Sequence, residues 1–481
     1  MFFNLEPGHP EVTRTAAVAL WMAIWWMTEA LSLGVTALLP IVLFPVLGIM
    51  NGKAVAPIYF NHIIFLFIGG FIMALAMERW NLHRRIALKT LLIVGAKPRN
   101  ILLGFMAASA FLSMWISNTA TTMMMVPIVL AVTRQLEELA DPQEIRRYSI
   151  GLFLSVAYGA TLGGIATLVG NPPNLVFAKV FSMTYPQAPE ITFTTWMLFA
   201  LPVALVFLIL MWLLLARIFI PRRNVLHINA EAFRIEYRSL GTTSYEEKIV
   251  LALFLLLVGS WLFRADIKLG VATIPGWSRL FPHADYFNDG TAAIFVALLL
   301  FIIPARQAGG KRIMEWTNAK KLPWDIVLLF GGGFALAQGF KDSGLSLWLG
   351  DRLNALSGLP PLLVVAGVCT LLIFLTELTS NTATAQIFLP ILAILSTEIG
   401  LNPLFLMVPG TLACSLAFML PVATPPNAII FGTGRIRIGD MAKVGLLLNF
   451  IGILLLPLAL YILGAVTLGI DLTTFPAWAE F

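Results

Sequence analysis

The pentapeptide Ser117-Asn118-Thr119-Ala120-Thr121 recurs as Ser380-Asn381-Thr382-Ala383-Thr384. Each copy follows an apolar run and precedes another that reaches a proline, Pro127 or Pro390, and then an isoleucine. A short polar turn between two apolar runs marks where one membrane helix stops and the next starts. Apolar windows fall at 15–30, 32–49, 59–77, 100–116, 122–132, 149–169, 196–220, 249–263, 290–304, 324–340, 361–376, 385–397, 403–423 and 444–468. Several are shorter than the roughly 20 residues a spanning helix needs, and the short ones flank the two Ser-Asn-Thr turns. That pairing predicts re-entrant hairpins, which enter and leave the bilayer on one side. Non-helical backbone is tolerated at that depth only where protein buries it or water reaches it.

Hydrophobic residues make up 59% of the 481-residue chain and charged residues 12%, whereas about a quarter of a soluble chain is charged. The expected fold is an all-α polytopic membrane protein. Residues 1–11 are mixed and polar, without the basic start or cleavage site of a secretory signal. Cys369 and Cys414 both lie in apolar windows and read as small core residues rather than a disulfide or metal pair. The net charge of +6 reads as loop residues obeying the positive-inside rule, with no nucleic-acid partner implied.

The charges trace one path. Arg79, Arg84, Arg85, Lys89, Lys97 and Arg99 precede the first hairpin, and Arg134, Arg146 and Arg147 follow it. Both flanks are therefore cytoplasmic, as re-entrance requires. The loop Ser182–Thr195 has no Lys or Arg and lies outside. Arg217, Arg222, Arg223, Arg234, Arg238 and Lys248 are inside again, as are Arg306, Lys311, Arg312, Lys320 and Lys321. The second hairpin then enters and leaves from outside, Arg435, Arg437 and Lys443 return to the cytoplasm, and the tail with Asp471 and Glu480 ends outside. This path places 23 of the 31 basic residues inside. It also puts residues 1–14 outside, which calls for a further helix upstream.

Three landmarks repeat in order. Gly69-Gly70-Phe71 matches Gly332-Gly333-Phe334, and Ser117-Asn118-Thr119 matches Ser380-Asn381-Thr382, both at an offset of 263. Asn171-Pro172-Pro173-Asn174 matches Thr424-Pro425-Pro426-Asn427 at an offset of 253. With the hairpins opening to opposite sides, the repeats are inverted, the organisation of a secondary transporter with its site near the midplane. The first repeat is expected over 1–221, with its hairpin at 100–132 and a broken helix at 149–182. A cytoplasmic linker covers 222–247. The second repeat covers 248–481, with its hairpin at 361–397 and a broken helix at 403–434.

Ser, Thr and Asn are good N-caps, so each Ser-Asn-Thr turn can start a helix whose free N–H groups and dipole attract an anion. Each Pro-Pro turn removes two donors and breaks a helix, leaving upstream carbonyls able to coordinate a hard cation. One turn of each kind gives one Na⁺-like oxygen cage per repeat, with the anion between the cages. Of the basic residues, Lys179 alone lies near these turns, several residues on. Neutralising a dianion then falls to helix ends, hydroxyls and co-bound cations.

These residues resemble the divalent anion/sodium symporters. The resemblance rests on both Ser-Asn-Thr turns, Gly170-Asn171-Pro172-Pro173-Asn174, Ala423-Thr424-Pro425-Pro426-Asn427 and Trp25-Trp26-Met27-Thr28-Glu29-Ala30, and covers nearly the whole chain. It implies a first sodium site at Ser113, Ser117, Asn118 and Gly170, and a second at Thr376, Thr379, Asn381 and Ala423. It implies that a small di-anionic substrate meets Asn118, Thr119, Asn171, Pro172, Asn381, Thr382, Thr424 and Pro425. It further implies Na⁺-coupled symport of C4-dicarboxylates, a homodimer, and a transport domain moving against a scaffold as an elevator in a bacterial plasma membrane. Family members often carry Ser or Thr where this chain has Asn171, and the family's first helix has no counterpart here.

Other readings are weaker. A channel also uses re-entrant loops but usually repeats them by oligomeric symmetry. An enzyme would need a nucleophile–base or metal-ligand set that the sequence does not offer. Sulfate or tricarboxylate transport, and H⁺ coupling or exchange in place of Na⁺ symport, stay open. Gly331-Gly332-Gly333 lacks the Lys-Ser/Thr of a phosphate loop and reads as close helix packing. The five histidines show no metal spacing, and Met123-Met124-Met125 reads as packing. Glu377 is either a coupling acid or a hydrogen-bonded structural one. Glu29 reads as structural, beside a helix break.

Overall fold

Six helices around the centre of the protein each open on a proline. The computed structural model describes residues 4–95, 97–137, 141–220, 231–269, 272–307, 311–353, 358–471 and 474–480. Its first half runs α1 (Pro10–Thr28), α2 (Leu33–Thr36), α3 (Leu39–Val46), α4 (Gly52–Val55), α5 (His62–Arg79), α6 (Leu82–Val94), α7 (Pro98–Ser113), α8 (Asn118–Glu137), α9 (Pro142–Ile165), α10 (Pro172–Thr184) and α11 (Phe193–Phe219). Then follow α12 (Glu231–Ser239), α13 (Tyr245–Leu262), α14 (Asp289–Ile302), α15 (Trp316–Ala319), α16 (Trp324–Asp342), α17 (Leu345–Leu353), α18 (Pro361–Thr376), α19 (Asn381–Glu398), α20 (Pro403–Ala413), α21 (Pro425–Gly432) and α22 (Ile438–Leu468). Pro98, Pro142, Pro172, Pro361, Pro403 and Pro425 are the first residues of their helices. At that position the fixed φ is already helical and the missing N–H would have had no partner anyway.

The repeat is visible in the helix starts. The starts of α6, α7 and α8 recur 263 residues later as α17, α18 and α19, and α10 recurs 253 residues later as α21. The hairpins are α7–α8 and α18–α19, with tips at 114–117 and 377–380. The entering helices α7 and α18 have 16 residues each, roughly 24 Å at about 1.5 Å per residue, short of a hydrocarbon core of roughly 30 Å. The helix-breaking turns are 166–171 and 414–424. The prolines thus begin α10 and α21 rather than kinking one continuous helix.

Among the described residues, five helical stretches are long and apolar enough to cross a membrane: Gly52–Arg79, Asn118–Leu136, Pro142–Ile165, Phe193–Phe219 and Ile438–Leu468. Shorter apolar helices accompany them. On α22, Leu454 is 74% and Val466 86% exposed. Such contiguous apolar surface is a liability in water and the contact surface in lipid. The protein is a multi-pass integral membrane protein. Its buried core centres on α9, whose 18-residue apolar window is wholly enclosed.

Several sequence expectations are refined. The window at 32–49 is two short helices, α2 and α3, and Glu29 ends α1 in the left-handed conformation at φ 49°. The linker expected at 222–247 contains α12 and runs into α13; its Arg222 and Arg223 lie outside the described residues. Glu236 on α12 pairs with Arg84 of α6. A two-stranded hairpin, β1 (Ile267–Leu269) and β2 (Ala272–Ile274), follows α13.

Contacts between loops fall into two groups. One joins Arg85 to Glu247 (2.7 Å), Arg79 to Glu315 (3.4 Å), the Arg306 N–H to Glu246 (2.7 Å), and Arg99 to the face of Trp212 (4.4 Å). The other joins Arg264 to Glu190 (2.8 Å) and Asp289 (2.5 Å), Lys341 to the Met183 carbonyl (3.4 Å), and Trp348 to the Leu5 carbonyl (2.9 Å). The charge path assigns the first group to the inside and the second to the outside.

Close packing of α7 on α9 depends on Gly163, where an added Cβ would overlap the Ala110 carbonyl. Gly163→Ala is expected to cost about 1–3 kcal/mol through overpacking, read as a lower thermal midpoint in detergent. Gly367→Ala, which meets nothing within 4 Å on α18, is the control expected to show no loss.

Candidate functional site

The two hairpin tips carry the same hydrogen bond. The Ser113 hydroxyl donates to Asn118 Oδ1, and the Thr376 hydroxyl donates to Asn381 Oδ1 at 2.7 Å. Ser113 ends α7 and Asn118 starts α8; Thr376 ends α18 and Asn381 starts α19. The bond therefore spans each tip and sets the amide at a helix N-terminus. Ser117 caps α8, accepting the Ala120 N–H at 3.2 Å. Both Ser-Asn-Thr turns are helix starts, but the capping bond expected of them forms at Ser117 and not at Ser380, whose side chain makes no cap bond to α19.

Each helix-breaking turn is held by the asparagine that follows its prolines. Asn174 Nδ2 donates to the carbonyls of Gly164 (3.1 Å) and Thr167 (2.7 Å). Asn427 Nδ2 donates to those of Ala417 (3.1 Å) and Leu420 (3.0 Å). All six residues correspond at the offset of 253. These carbonyls have no intrahelical acceptor role left, so the amide supplies what the helix lost. Both asparagines are fully buried.

Tips and turns meet. Gly164 lies against the Asn118 side chain, leaving no room for a Cβ between them, and Gly170 approaches the Ser113 carbonyl. The Gly170 N–H donates to the Thr167 hydroxyl, which itself donates to the Met114 carbonyl at 2.6 Å. In the second repeat the Thr376 hydroxyl also lies 2.8 Å from the Cys414 carbonyl, so its single proton is shared between that oxygen and Asn381 Oδ1. The repeats are then joined: Asn171 Nδ2 donates to Ser415 Oγ at 2.7 Å, and the Tyr158 hydroxyl to the Phe418 carbonyl at 2.6 Å. Helix α8 packs on α21 and α10 on α19, so each hairpin leans on the broken helix of the other repeat.

The remaining expected residues are placed as follows. Thr424 caps α21, its Oγ1 accepting the Asn427 N–H at 3.4 Å, and Pro425 follows it, exposed. Thr382 is buried and Thr119 half-buried, each one residue into its helix. Ala423 is buried beside Thr424. The Thr379 hydroxyl donates to the Leu375 carbonyl at 3.0 Å and lies 2.7 Å from the Thr384 hydroxyl.

Glu377 holds the second helix break. It is 3% exposed. Its Oε1 accepts the N–H groups of Phe418 (2.8 Å) and Met419 (2.9 Å), its Oε2 those of Met419 (3.0 Å) and Leu420 (3.2 Å), and Asn449 Nδ2 adds a bond of 2.8 Å to Oε1. A carboxyl group so surrounded by donors is held in place. Its counterpart at the 263 offset is Met114, and the counterpart of Leu420 at 253 is Thr167. The same two positions are linked in both repeats, by hydroxyl to carbonyl in the first and by amide to carboxylate in the second.

Ser415, Thr167, Tyr158 and Asn449 were not legible as site residues, since each is one polar residue in an apolar window. Asn174 and Asn427 stand in the repeated motif itself, and that repetition was the available signal for their role.

Glu377→Gln places an NH₂ group against backbone N–H donors. The expected result is a loss of about 1–3 kcal/mol for each stranded donor, read as a lower thermal midpoint, with a weaker Na⁺ dependence of any transport. An unchanged midpoint would contradict the structural role.

A family profile described as "Sodium:sulfate symporter transmembrane region" matches residues 9–468. The "Sodium-dependent dicarboxylate transporter SdcS" of Staphylococcus saprophyticus is 44% identical over 463 residues, covering 95% of this chain and 87% of that protein. Its namesake from Staphylococcus aureus (strain bovine RF122 / ET3-1) is 42% identical over 479 residues, covering 98% and 90%. Among solved structures, the YdaH transporter of Alcanivorax borkumensis aligns with a TM-score of 0.55 at 13% identity, over 94% of this chain and 98% of that one. At that identity the likeness speaks to the fold alone.

Proposed function

The chain belongs to the sodium:sulfate symporter family, and from that premise we propose that it carries a C4-dicarboxylate of the succinate, malate or fumarate type across the membrane together with Na⁺. The observation that carries this reading is the duplicated hydroxyl–asparagine pair, Ser113–Asn118 and Thr376–Asn381, joined across the repeats by Asn171–Ser415. The relatives named as sodium-dependent dicarboxylate transporters favour a dicarboxylate over sulfate.

The first Na⁺ takes oxygens from Ser113, Ser117, Asn118 and the Gly170 segment. The second takes them from Thr376, Thr379, Asn381 and the Ala423 segment. Hydroxyls, amide oxygens and carbonyls suit a hard monovalent cation. The substrate carboxylates meet Asn118, Thr119, Asn171 and Pro172 from one repeat, and Asn381, Thr382, Thr424 and Pro425 from the other. Each tip asparagine has two ends. Its Oδ1 faces the hydroxyl and the cation; its Nδ2 is the donor for the anion. Cation binding at Oδ1 polarises the N–H bonds and strengthens their bond to a carboxylate. By linkage, substrate then raises Na⁺ affinity by the same factor.

The two groups of loop contacts support inverted repeats. Arg99, at the start of the first hairpin, sits with the basic group through Trp212. The end of the second hairpin, Thr397, meets Tyr185 at 2.8 Å, beside the loop that carries Glu190. We take the hairpins and broken helices as a transport domain that moves as an elevator within a homodimer, in the plasma membrane of a bacterium. Residues 1–221 and 248–481 form the two repeats and 222–247 the linker.

Proteoliposomes loaded without Na⁺ are expected to take up succinate only on an inward Na⁺ gradient. Asn118→Ala and Asn381→Ala should each lower uptake at least tenfold, at about 1.4 kcal/mol per tenfold. An uptake panel with sulfate and citrate tests the substrate class; uptake that ignores Na⁺ would refute the coupling. Single cysteines at Arg146 and Glu190 in a Cys369→Ala/Cys414→Ala background should react with an impermeant maleimide from opposite faces.

A further inference from the structure

Building on the proposed movement of the hairpins, we infer that Gln386 is a latch residue. It closes the outer face by keying α19 onto α16 at Gly333, and it leaves that niche in every transport cycle. Gln386 lies on the second hairpin, just past Asn381, and is fully buried. Its Nε2 donates to the Leu329 carbonyl of α16 at 3.0 Å. Its Oε1 has no hydrogen-bond partner among the described residues and fills the place a Cβ would take at Gly333. Only glycine admits the amide there. Pro390 and Ile394 follow on the same face of α19 and are buried too. Beyond Gln386, the seam between α19 and α16 holds a cavity of about 180 Å³, lined by Met183, Ala337, Lys341, Pro390, Ile394 and Glu398. Lys341 bridges it, reaching from α16 to the Met183 carbonyl of α10.

The first repeat holds the matching parts apart. At the offset of 263, Gln386, Leu329 and Gly333 become Met123, Leu66 and Gly70. Helix α5 is the counterpart of α16, yet α19 packs on α16 whereas α8 has no such packing on α5. Met123 is 61% exposed, and Pro127, the counterpart of Pro390, is exposed as well. A Cβ at Gly70 would meet nothing closer than Val169, at 3.5 Å, so α8 does not take that niche. Two copies of one structural unit thus stand in two arrangements, one docked and one free. An inverted-repeat carrier reaches its two faces by rocking one bundle against the other, and exchanging these two arrangements supplies the second face. There α8 docks on α5 with Met123 at Gly70, and Gln386 is free. The amide suits that exchange. Docked, it leaves one buried acceptor unpaired, which is costly. Freed into a water-filled vestibule, both its ends are satisfied. A residue that only packed α19 would do better apolar, as its counterpart Met123 is.

Full-length protein in proteoliposomes, in a Cys369→Ala/Cys414→Ala background, is given one of two cysteine pairs, Gly333→Cys/Gln386→Cys or Gly70→Cys/Met123→Cys. Hg²⁺ bridges two thiols inside a membrane, and the linked fraction is read by mass. Both pairs are expected to link, and linking either should stop succinate uptake until a thiol reductant removes the metal. Adding Gln386→Ala to the second pair should speed its linkage roughly three- to tenfold, the worth of one hydrogen bond. Gly333→Ala, whose Cβ displaces the amide, should do the same. A 70/123 pair that never links, with or without Na⁺ and succinate, would overturn the latch. So would uptake that persists in protein linked across 333/386, or a 70/123 linkage rate unmoved by Gln386→Ala and Gly333→Ala alike. Uptake by the unlinked protein is measured alongside: its loss refutes dicarboxylate transport, while linkage of the two pairs is read without it.

Discussion

A helix that stops inside a bilayer leaves backbone donors and acceptors with no water to take them, and this protein stops helices there four times. The structure answers each time with a side chain. Asn174 and Asn427 take two carbonyls apiece on the far side of the Pro-Pro turns, and Glu377 takes three backbone N–H groups at the second break. Thr167 closes the first tip against the first break through the Met114 carbonyl. Without these bonds the turns would collapse into continuous helix or draw in water, and no fixed set of oxygens would face the site. The prolines set where each helix restarts; the asparagines after them decide that the restart can be dry.

The repeats share a frame and differ in charge. Hydroxyl–asparagine pairs and asparagine–carbonyl clamps recur at matching positions, which fixes two similar pockets from two similar stretches of chain. Ser113 is replaced by Thr376, Ile116 by Thr379, and Met114 by Glu377. The last change puts one carboxylate, matched by neutral donors alone, beside the second break. The two breaks therefore share a geometry and differ in the group that takes their donors.

Much of this was legible in the sequence because symmetry and period are sequence properties. The repeated Ser-Asn-Thr turns, the Pro-Pro-Asn turns and the short paired windows fix hairpins, breaks and the helical class. The basic residues sort the loops into two groups that the observed contacts keep apart. The rest depended on packing between stretches far apart in the chain. Ser415 means nothing until Asn171 lies 2.7 Å away. The window at 32–49 is apolar enough for one helix, yet Pro40 and the approach of Ala37 to Gly332 divide it at 37–38. Glu377 presented two readings because an intramembrane acid is marked by its rarity, while its role is set by the five donor contacts around it.

The geometry also bears on why coupling would be strict. On the proposed reading Asn118 and Asn381 belong to the cation and the anion at once, and each is bridged to a hydroxyl across its own hairpin tip. In the absence of a cation the hydroxyl holds Oδ1 and fixes the amide plane, so Nδ2 is aimed correctly but weakly polarised. A dianion arriving alone would meet amide donors and helix ends with no full positive charge, and would lose more in hydration than it gained. Na⁺ arriving alone would gain oxygens but leave its charge unmatched at membrane depth. Together they cancel, and the amide transmits the polarisation between them over the length of one side chain. Placing both ligands on the two ends of one functional group makes the dependence of each on the other a property of the site itself, with no relay through the surrounding helices.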